Sequence, residues 1–192
     1  MNTRKDIALT GFMGCGKTSV GKALAELLPE YILIDLDEYI ESMTGKRIPD
    51  IFKEEGESVF RDLEAHALAK IFIGEKSREA TGEGRRKIIS LGGGAITTEP
   101  CRKLLKEYAI CFYLKASSNT LVRNLLNDPA DRPILNPDGH RMTENSLMER
   151  VGQLMTARAP LYESAADHII PTDGLAPNQA ATQILATLRL DT

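Results

Sequence analysis

Short apolar runs alternate along the chain with stretches in which apolar residues recur at helical spacing, the pattern of a parallel sheet covered by helices. Ile7-Ala8-Leu9-Thr10 reads as a first strand and leads into a glycine-rich turn. From Thr18 the apolar residues Val20, Ala23, Leu24, Leu27 and Leu28 form a one-sided helix that stops at Pro29. Tyr31-Ile32-Leu33-Ile34 reads as a second buried strand ending in Asp35-Leu36-Asp37. After Gly56, a longer helix carries Val59, Phe60, Leu63, Ala67, Leu68, Ile71 and Phe72 on its apolar side. Ile88 to Leu91, Ile110 to Leu114 and His168 to Ile170 supply three more strands. Helices are expected from Thr98, where threonine is the cap and Pro100 sits in the first turn, and from near Ser118. A further helix opens at Ser146, spaced with Glu149 as a capping box, and a final one carries Ala181, Ile184, Leu185 and Leu188.

Two segments break the period. Gly74 to Lys87 is rich in charge and glycine and reads as an exposed loop, with Arg85-Arg86-Lys87 as solvated surface. Asn127 to Thr143 carries three prolines, a glycine and mixed charge, the composition of a mobile lid. No repeat, linker or second unit interrupts residues 1–192, so one domain is expected.

Composition narrows the function classes. The 192 residues are 42% hydrophobic and 27% charged, with a net charge of −3, which points to neither nucleic acid nor an anionic membrane as partner. No apolar run approaches the roughly 20 residues that span a bilayer, and the N-terminal residues lack a signal-peptide pattern. Cys15, Cys101 and Cys111 are an odd number in no metal-ligand spacing, as expected of free thiols in a reducing, cytoplasmic compartment.

Gly11-Phe-Met-Gly14-Cys15-Gly16-Lys17-Thr18 matches the Walker A pattern between a predicted strand and a predicted helix. Its glycines let backbone N–H groups turn inward around phosphate oxygens, and the following helix adds its positive end. Lys17 supplies charge to the β- and γ-phosphates, and the Thr18 hydroxyl is a Mg²⁺ ligand. A guanine-reading Asn-Lys-x-Asp string and an Asp-x-x-Gly switch string are both absent from the sequence, so a GTPase switch is disfavoured against a phosphotransferase. Asp35 and Asp37, two apart at a strand end, can share a face toward a ligand crevice, one for the metal shell and one for an acceptor hydroxyl. Glu57, Arg61 and Glu64 recur at i, i+4 and i+7. Spacing leaves two readings open there: surface pairing, or glutamates orienting Arg61 to grip a carboxylate. The triple glycine Gly92-Gly93-Gly94 after a strand points to close approach of a ligand. Arg132 lies in the lid segment, where it can close on phosphates, and Arg158-Ala-Pro-Leu-Tyr162 ends the helix after it.

Taken in order, these strings resemble the shikimate kinase family. The match includes Gly11 to Gly21 and Asp35-Leu-Asp37. It continues through Ile51-Phe52, Gly56-Glu57, Phe60-Arg61-Asp-Leu-Glu64 and Ser90-Leu-Gly-Gly-Gly-Ala95. Arg132-Pro-Ile-Leu and Arg158-Ala-Pro-Leu-Tyr complete a set that runs from about Ile7 to Ile170. The resemblance implies an α/β, three-layer αβα fold of the P-loop type with a five-stranded parallel sheet, a shikimate-binding segment at about 35–64 and a lid at about 127–143. It implies Mg²⁺-dependent transfer of the ATP γ-phosphate to the 3-hydroxyl of shikimate, a step of aromatic amino acid biosynthesis. By the same analogy Thr18 and Asp35 serve Mg²⁺, and Asp37 contacts the reacting hydroxyl. Arg61, Arg158 and Gly92 to Gly94 hold shikimate, and Lys17 and Arg132 act on the phosphates. Gly14, Cys15, Gly16, Lys17, Thr18 and Ser19 surround ATP, with Arg123 a candidate for stacking on adenine. A kinase for another hydroxy acid such as gluconate, and a regulatory nucleotide-binding module, are the competing readings. A monomer is expected, since no apolar stripe is left over once the helices are assigned.

Overall fold

The computed structural model describes residues 6–74, 85–128, 133–135 and 143–190. Five parallel strands are ordered β2-β3-β1-β4-β5. They are β1 (Asp6–Thr10), β2 (Tyr31–Asp35), β3 (Arg86–Ser90), β4 (Ala109–Lys115) and β5 (His168–Pro171). Central position explains their composition: Ile7, Ala8 and Leu9 of β1, and Phe112 and Leu114 of β4, are wholly buried, as expected of strands covered on both faces.

Helix α1 (Lys17–Leu27) links β1 to β2 and packs against the last helix, α8 (Pro177–Leu190). Between β2 and β3 lie α2 (Leu36–Thr44), α3 (Ile48–Glu54) and α4 (Gly56–Ile73), which pack on one another. After a 3₁₀ turn at Ala95–Thr97 comes α5 (Glu99–Tyr108), then α6 (Ser118–Leu126) and α7 (Glu144–Ala165). With right-handed crossovers, this strand order sets α1 and α8 on one face and α4, α5 and α7 on the other. The result is the expected three-layer αβα arrangement.

Several local expectations change. Asp35 and Asp37 do not share a strand face: Asp35 ends β2 and caps α2, its Oδ1 accepting from the Asp37 N–H at 3.1 Å. Arg86 and Lys87 are not loop surface but the first residues of β3. Lys87 is buried and pairs with Asp6 at 3.5 Å, while Arg86 lies over the Tyr31 ring. Residues 75–84 of the expected loop lie outside the described residues. The cap of α7 is Thr143 and not Ser146: Thr143 accepts from the Ser146 N–H at 3.2 Å. Nor does the string Arg158-Ala-Pro-Leu-Tyr162 end that helix, which runs through Pro160 and on past Tyr162 to Ala165. Of the expected lid only residues 127, 128, 133–135 and 143 are described, and Arg132 lies outside them. Leu135 is buried there, and the Arg150 guanidinium donates to the Ile134 carbonyl at 3.0 Å.

Candidate active site

β2, β3 and β1 are neighbours, so the segments leaving their C-terminal ends meet in one crevice, the usual ligand position of an open α/β sheet. Those segments are Asp35-Leu-Asp37, Gly92-Gly-Gly94 and the loop Gly11–Gly16.

The loop's backbone is left-handed at Gly14 (φ 80°) and Gly16 (φ 93°), the residue just before α1. A side chain there would be strained, and the turn is what aims the N–H groups of the α1 start into the crevice. Lys17 is buried and donates from Nζ to the carbonyls of Gly11 (2.9 Å) and Phe12 (3.0 Å). The Thr18 hydroxyl donates to Asp35 Oδ2 at 2.8 Å and lies 3.3 Å from Ser90 Oγ. These oxygens line a cavity of about 450 Å³ together with Gly14, Gly16, Lys17, Ser19 and Asp37. Hydroxyl and carboxylate oxygens are the donors a hard divalent cation takes, and Mg²⁺ is ordinarily held by only one or two carboxylates plus phosphate and water. Among the described residues no cluster of three or more His, Cys, Asp or Glu is present, and such a site needs none.

A second cavity, about 230 Å³, lies on the other side of Asp37. Its floor is charged and buried. Arg61 reaches Glu57 at 2.8 Å and Glu64 at 2.5 Å, and Glu64 is wholly inaccessible to solvent. The surface-pairing reading therefore fails for Arg61 and Glu64, while Glu57 remains exposed and pairs with Arg61 from outside. Arg158 enters from α7, also buried, with its Nη1 unpartnered. Phe52 and Phe60, 4.7 Å apart between ring centres, form an apolar wall.

The triple glycine closes this cavity by close approach. A Cβ on Gly92 would lie 2.5 Å from Glu64 Oε1 and 2.8 Å from Asp37 Oδ1, and one on Gly94 would strike the Arg61 guanidinium at 2.3 Å. Tyr162, from the Arg158-Ala-Pro-Leu-Tyr string, donates its hydroxyl to the Gly93 carbonyl and stacks on Tyr113 at 5.1 Å. That bond fixes the glycine segment from behind.

Burial, with the nearby Asp35 charge adding to it, pushes the Asp37 carboxyl up to about 6, against the pull of Lys17 and Arg61. Glu64 is pushed up to about 7, again chiefly by burial, with Arg61 opposing. Asp37 Oδ1 and Glu64 Oε1 are both buried without a hydrogen-bond partner.

A third cavity, about 430 Å³, opens beside the loop and is lined by Cys15, Ser19, Arg123 and Asn124 with residues 172 and 174–177. Thus Lys17, Thr18, Asp35 and Asp37 converge, as do Arg61, Gly92 to Gly94 and Arg158, and Arg123 and Cys15 lie to one side. Sequence reasoning passed over Ser90, Asn124 and Tyr162 as site residues, and it gave Glu64 only the task of orienting Arg61. Ser90 and Tyr162 lie inside the quoted strings, which was the available signal. Asn124 had none: its Nδ2 donates to the Gly14 carbonyl at 2.8 Å, a contact across 110 residues.

Residues 13–189 match a family model described as shikimate kinase. The chain is 38% identical over 181 residues to the shikimate kinase of Thermodesulfovibrio yellowstonii, covering 94% of this chain and 93% of that one. It is 41% identical over 160 residues to that of Chlorobium phaeobacteroides, covering 83% and 78%. Among solved structures it resembles the shikimate kinase of Acinetobacter baumannii in complex with shikimate, with a TM-score of 0.83 at 34% identity over 99% of this chain and 96% of that one. The enzyme from Bacteroides thetaiotaomicron gives a TM-score of 0.81 at 31% identity, over 96% and 98%.

Proposed function

The chain belongs to the shikimate kinase family, and on that premise we propose how its own residues carry out ATP-dependent phosphorylation of the shikimate 3-hydroxyl. One observation carries the reading: Asp37 lines both the phosphate-side cavity and the arginine-floored cavity. A group at that junction is positioned to meet a hydroxyl from one side while a phosphoryl group faces it from the other.

The loop Gly14–Ser19 cradles the triphosphate through its N–H groups, and Lys17 leaves the Gly11 and Phe12 carbonyls to meet the β- and γ-phosphates. Thr18 and Asp35 would hold Mg²⁺, which would supply positive charge to the phosphate oxygens. Asp37 accepts the proton of the attacking hydroxyl, and a carboxyl near 6 suits a base that works around neutral pH. Arg61 and Arg158 fork the acceptor carboxylate, with the Gly92 to Gly94 backbone against its ring. The third cavity takes the nucleoside, with Arg123 stacking on the base. Arg132, outside the described residues and in the segment at about 127–143 expected as a lid, is assigned to the transferring phosphoryl group, and residues 35–64 form the acceptor segment. Residues 1–192 act as one domain and as a monomer in the cytoplasm; no described helix is long and apolar enough to cross a membrane.

Gluconate is the competing acceptor. The buried Arg61 and Arg158 beside the Phe52–Phe60 wall favour an anion carried on an apolar ring edge over a flexible polyol chain. A coupled ADP-release assay with ATP and Mg²⁺ should show release with shikimate well above that with gluconate or no acceptor. Equal or greater release with gluconate would discard the acceptor assignment.

A further inference from the structure

Glu64 does more in the acceptor cavity than orient an arginine. Its Oε2 takes the Arg61 guanidinium, but its Oε1 is buried with no partner. That atom faces the cavity: it and Asp37 Oδ1 are the two atoms that a Cβ on Gly92 would strike. A buried carboxylate oxygen without a donor is unfavourable, whereas a carboxylic acid presents an O–H that can donate.

The charges around it make the same point. Arg61 faces Glu64 from α4, Asp37 from α2, Arg158 from α7, and the Cys101 thiol from α5. Glu41, also from α2, lines the cavity and accepts the Ile48 N–H. Glu57 covers the outer side of Arg61. In charge, two buried guanidinium groups thus face two buried carboxylates, Asp37 and Glu64, before any ligand arrives, with Glu57 a further partner of Arg61. An incoming carboxylate adds a negative charge beside a carboxylate that solvent cannot reach. Burial already pushes Glu64 to about 7, above the value of about 6 for Asp37 across the cavity, which brings its neutralisation close to physiological pH.

On the reading of this cavity as the acceptor site, we propose that Glu64 binds a proton as the anionic acceptor enters, freeing Arg61 from one of its two carboxylates and donating an O–H into the cavity from Oε1. Glu64 is then a positioning residue that ties acceptor affinity to pH. The proton lets the cavity take a carboxylate without setting it against a second buried negative charge, whereas a neutral acceptor should bind with no proton uptake.

Calorimetric titration of the full-length protein with shikimate at about pH 8, in Tris and in HEPES, reads the proton directly. The heats should differ by an amount equal to roughly half a proton or more taken up per shikimate. The Kd should rise by up to about tenfold per pH unit above about pH 7. Glu64→Gln, which imitates the protonated acid, should bind shikimate with equal heats in both buffers and a Kd flat with pH. Glu64→Asp should keep an uptake. Equal heats for the unmodified protein would overturn the proposal while leaving the acceptor site standing. So would uptake that persists in Glu64→Gln, which would put the proton on Asp37 or elsewhere. Absence of any shikimate heat would overturn the acceptor site and this proposal together. Where Glu64→Gln fails to fold, equal heats in the unmodified protein still overturn the proposal, and loss of the uptake in Asp37→Asn would put the proton on Asp37 and overturn it as well.

Discussion

The phosphate side and the acceptor side of the crevice are built from different materials. On the phosphate side the ligand-facing groups are mostly backbone N–H, and its polar side chains short of the junction residue Asp37 already have partners: Lys17 on two carbonyls, Thr18 on Asp35. On the acceptor side the ligand-facing groups are charged side chains drawn from α2, α4 and α7, and three of them leave a buried atom unpartnered. The first site rests satisfied without its ligand. The second carries a desolvation cost that a ligand carboxylate relieves at Arg158 and a ligand hydroxyl relieves at Asp37. Affinity for the acceptor should therefore respond to single side chains far more than affinity for nucleotide does.

The largest effect should come from Lys17, which on the proposed reading acts through charge on the phosphates. Lys17→Ala should lower kcat by about 10²- to 10³-fold, the usual cost of removing an electrostatic stabiliser. Nucleotide affinity should fall much less, because the loop N–H groups remain. Steady-state kinetics with a fluorescent-nucleotide titration would check both, and a comparable loss in binding and turnover would contradict the division.

Arg158→Ala should raise the shikimate KM by about 10- to 100-fold, as for a charged hydrogen bond of about 1.5–3 kcal/mol, with the KM for ATP nearly unchanged. Arg61→Ala should do the same and also cost about 3 kcal/mol of stability, because it leaves Glu64 buried without its countercharge. Chemical denaturation separates the two variants. Equal stability would mean that Glu64 finds another partner or gives up its charge.

The same contrast decides how much was legible in the sequence. The strand, loop and start of α1 were readable because the phosphate site is local: eight consecutive residues hold the turn, the cation and the hydroxyl. The acceptor site is assembled from segments more than a hundred residues apart, and only a family resemblance gathered Arg61, Gly92 to Gly94 and Arg158 in advance. Spacing could not place Glu64, since Glu57, Arg61 and Glu64 read alike on a surface and in a closed cavity. Helices α2 and α3 went unread because each is short and fully buries only one or two residues, Leu36 and Ile40 in one and Ile51 in the other. Arg86 and Lys87 read as loop because their countercharge and ring, Asp6 and Tyr31, are far off in the chain. Strand ends read from apolar runs stop where the apolar residues stop, and charged strand residues are lost.

Asp37 allows a test in which activity and stability move in opposite directions. Its carboxyl is raised from 3.8 to about 6 in the folded protein, so the folded chain holds this proton more tightly than the unfolded chain does. Ionising it inside the fold is costly: the cost is absent below the ordinary carboxylate range and complete above about pH 6. Asp37→Asn should lose turnover by about 10²-fold or more, as for a general base. It should nonetheless gain about 1–2 kcal/mol of stability at about pH 8, and the gain should vanish toward about pH 4. Thermal melts across that range would show it. A variant less stable at pH 8 would mean that the ionised carboxylate is held by the fold rather than strained against it.

The smallest effect should come from Asn124. Its side-chain amide ties α6 to the Gly14 carbonyl of the phosphate loop. Keeping that carbonyl turned toward α6 leaves the neighbouring N–H groups free to face the phosphates. Asn124→Ala removes one neutral hydrogen bond, worth about 1 kcal/mol net, so the KM for ATP should rise by only about three- to fivefold. Shikimate affinity should not change, since Asn124 lines the phosphate and nucleoside cavities but not the acceptor cavity. Asn124→Asp is the sharper probe, because it sets a carboxylate against the same carbonyl and near the phosphates. It should weaken ATP more than alanine does, with the excess shrinking as ionic strength rises. An equal loss in both variants at all salt concentrations would show that the amide only packs there, and that the loop carbonyl needs no holding.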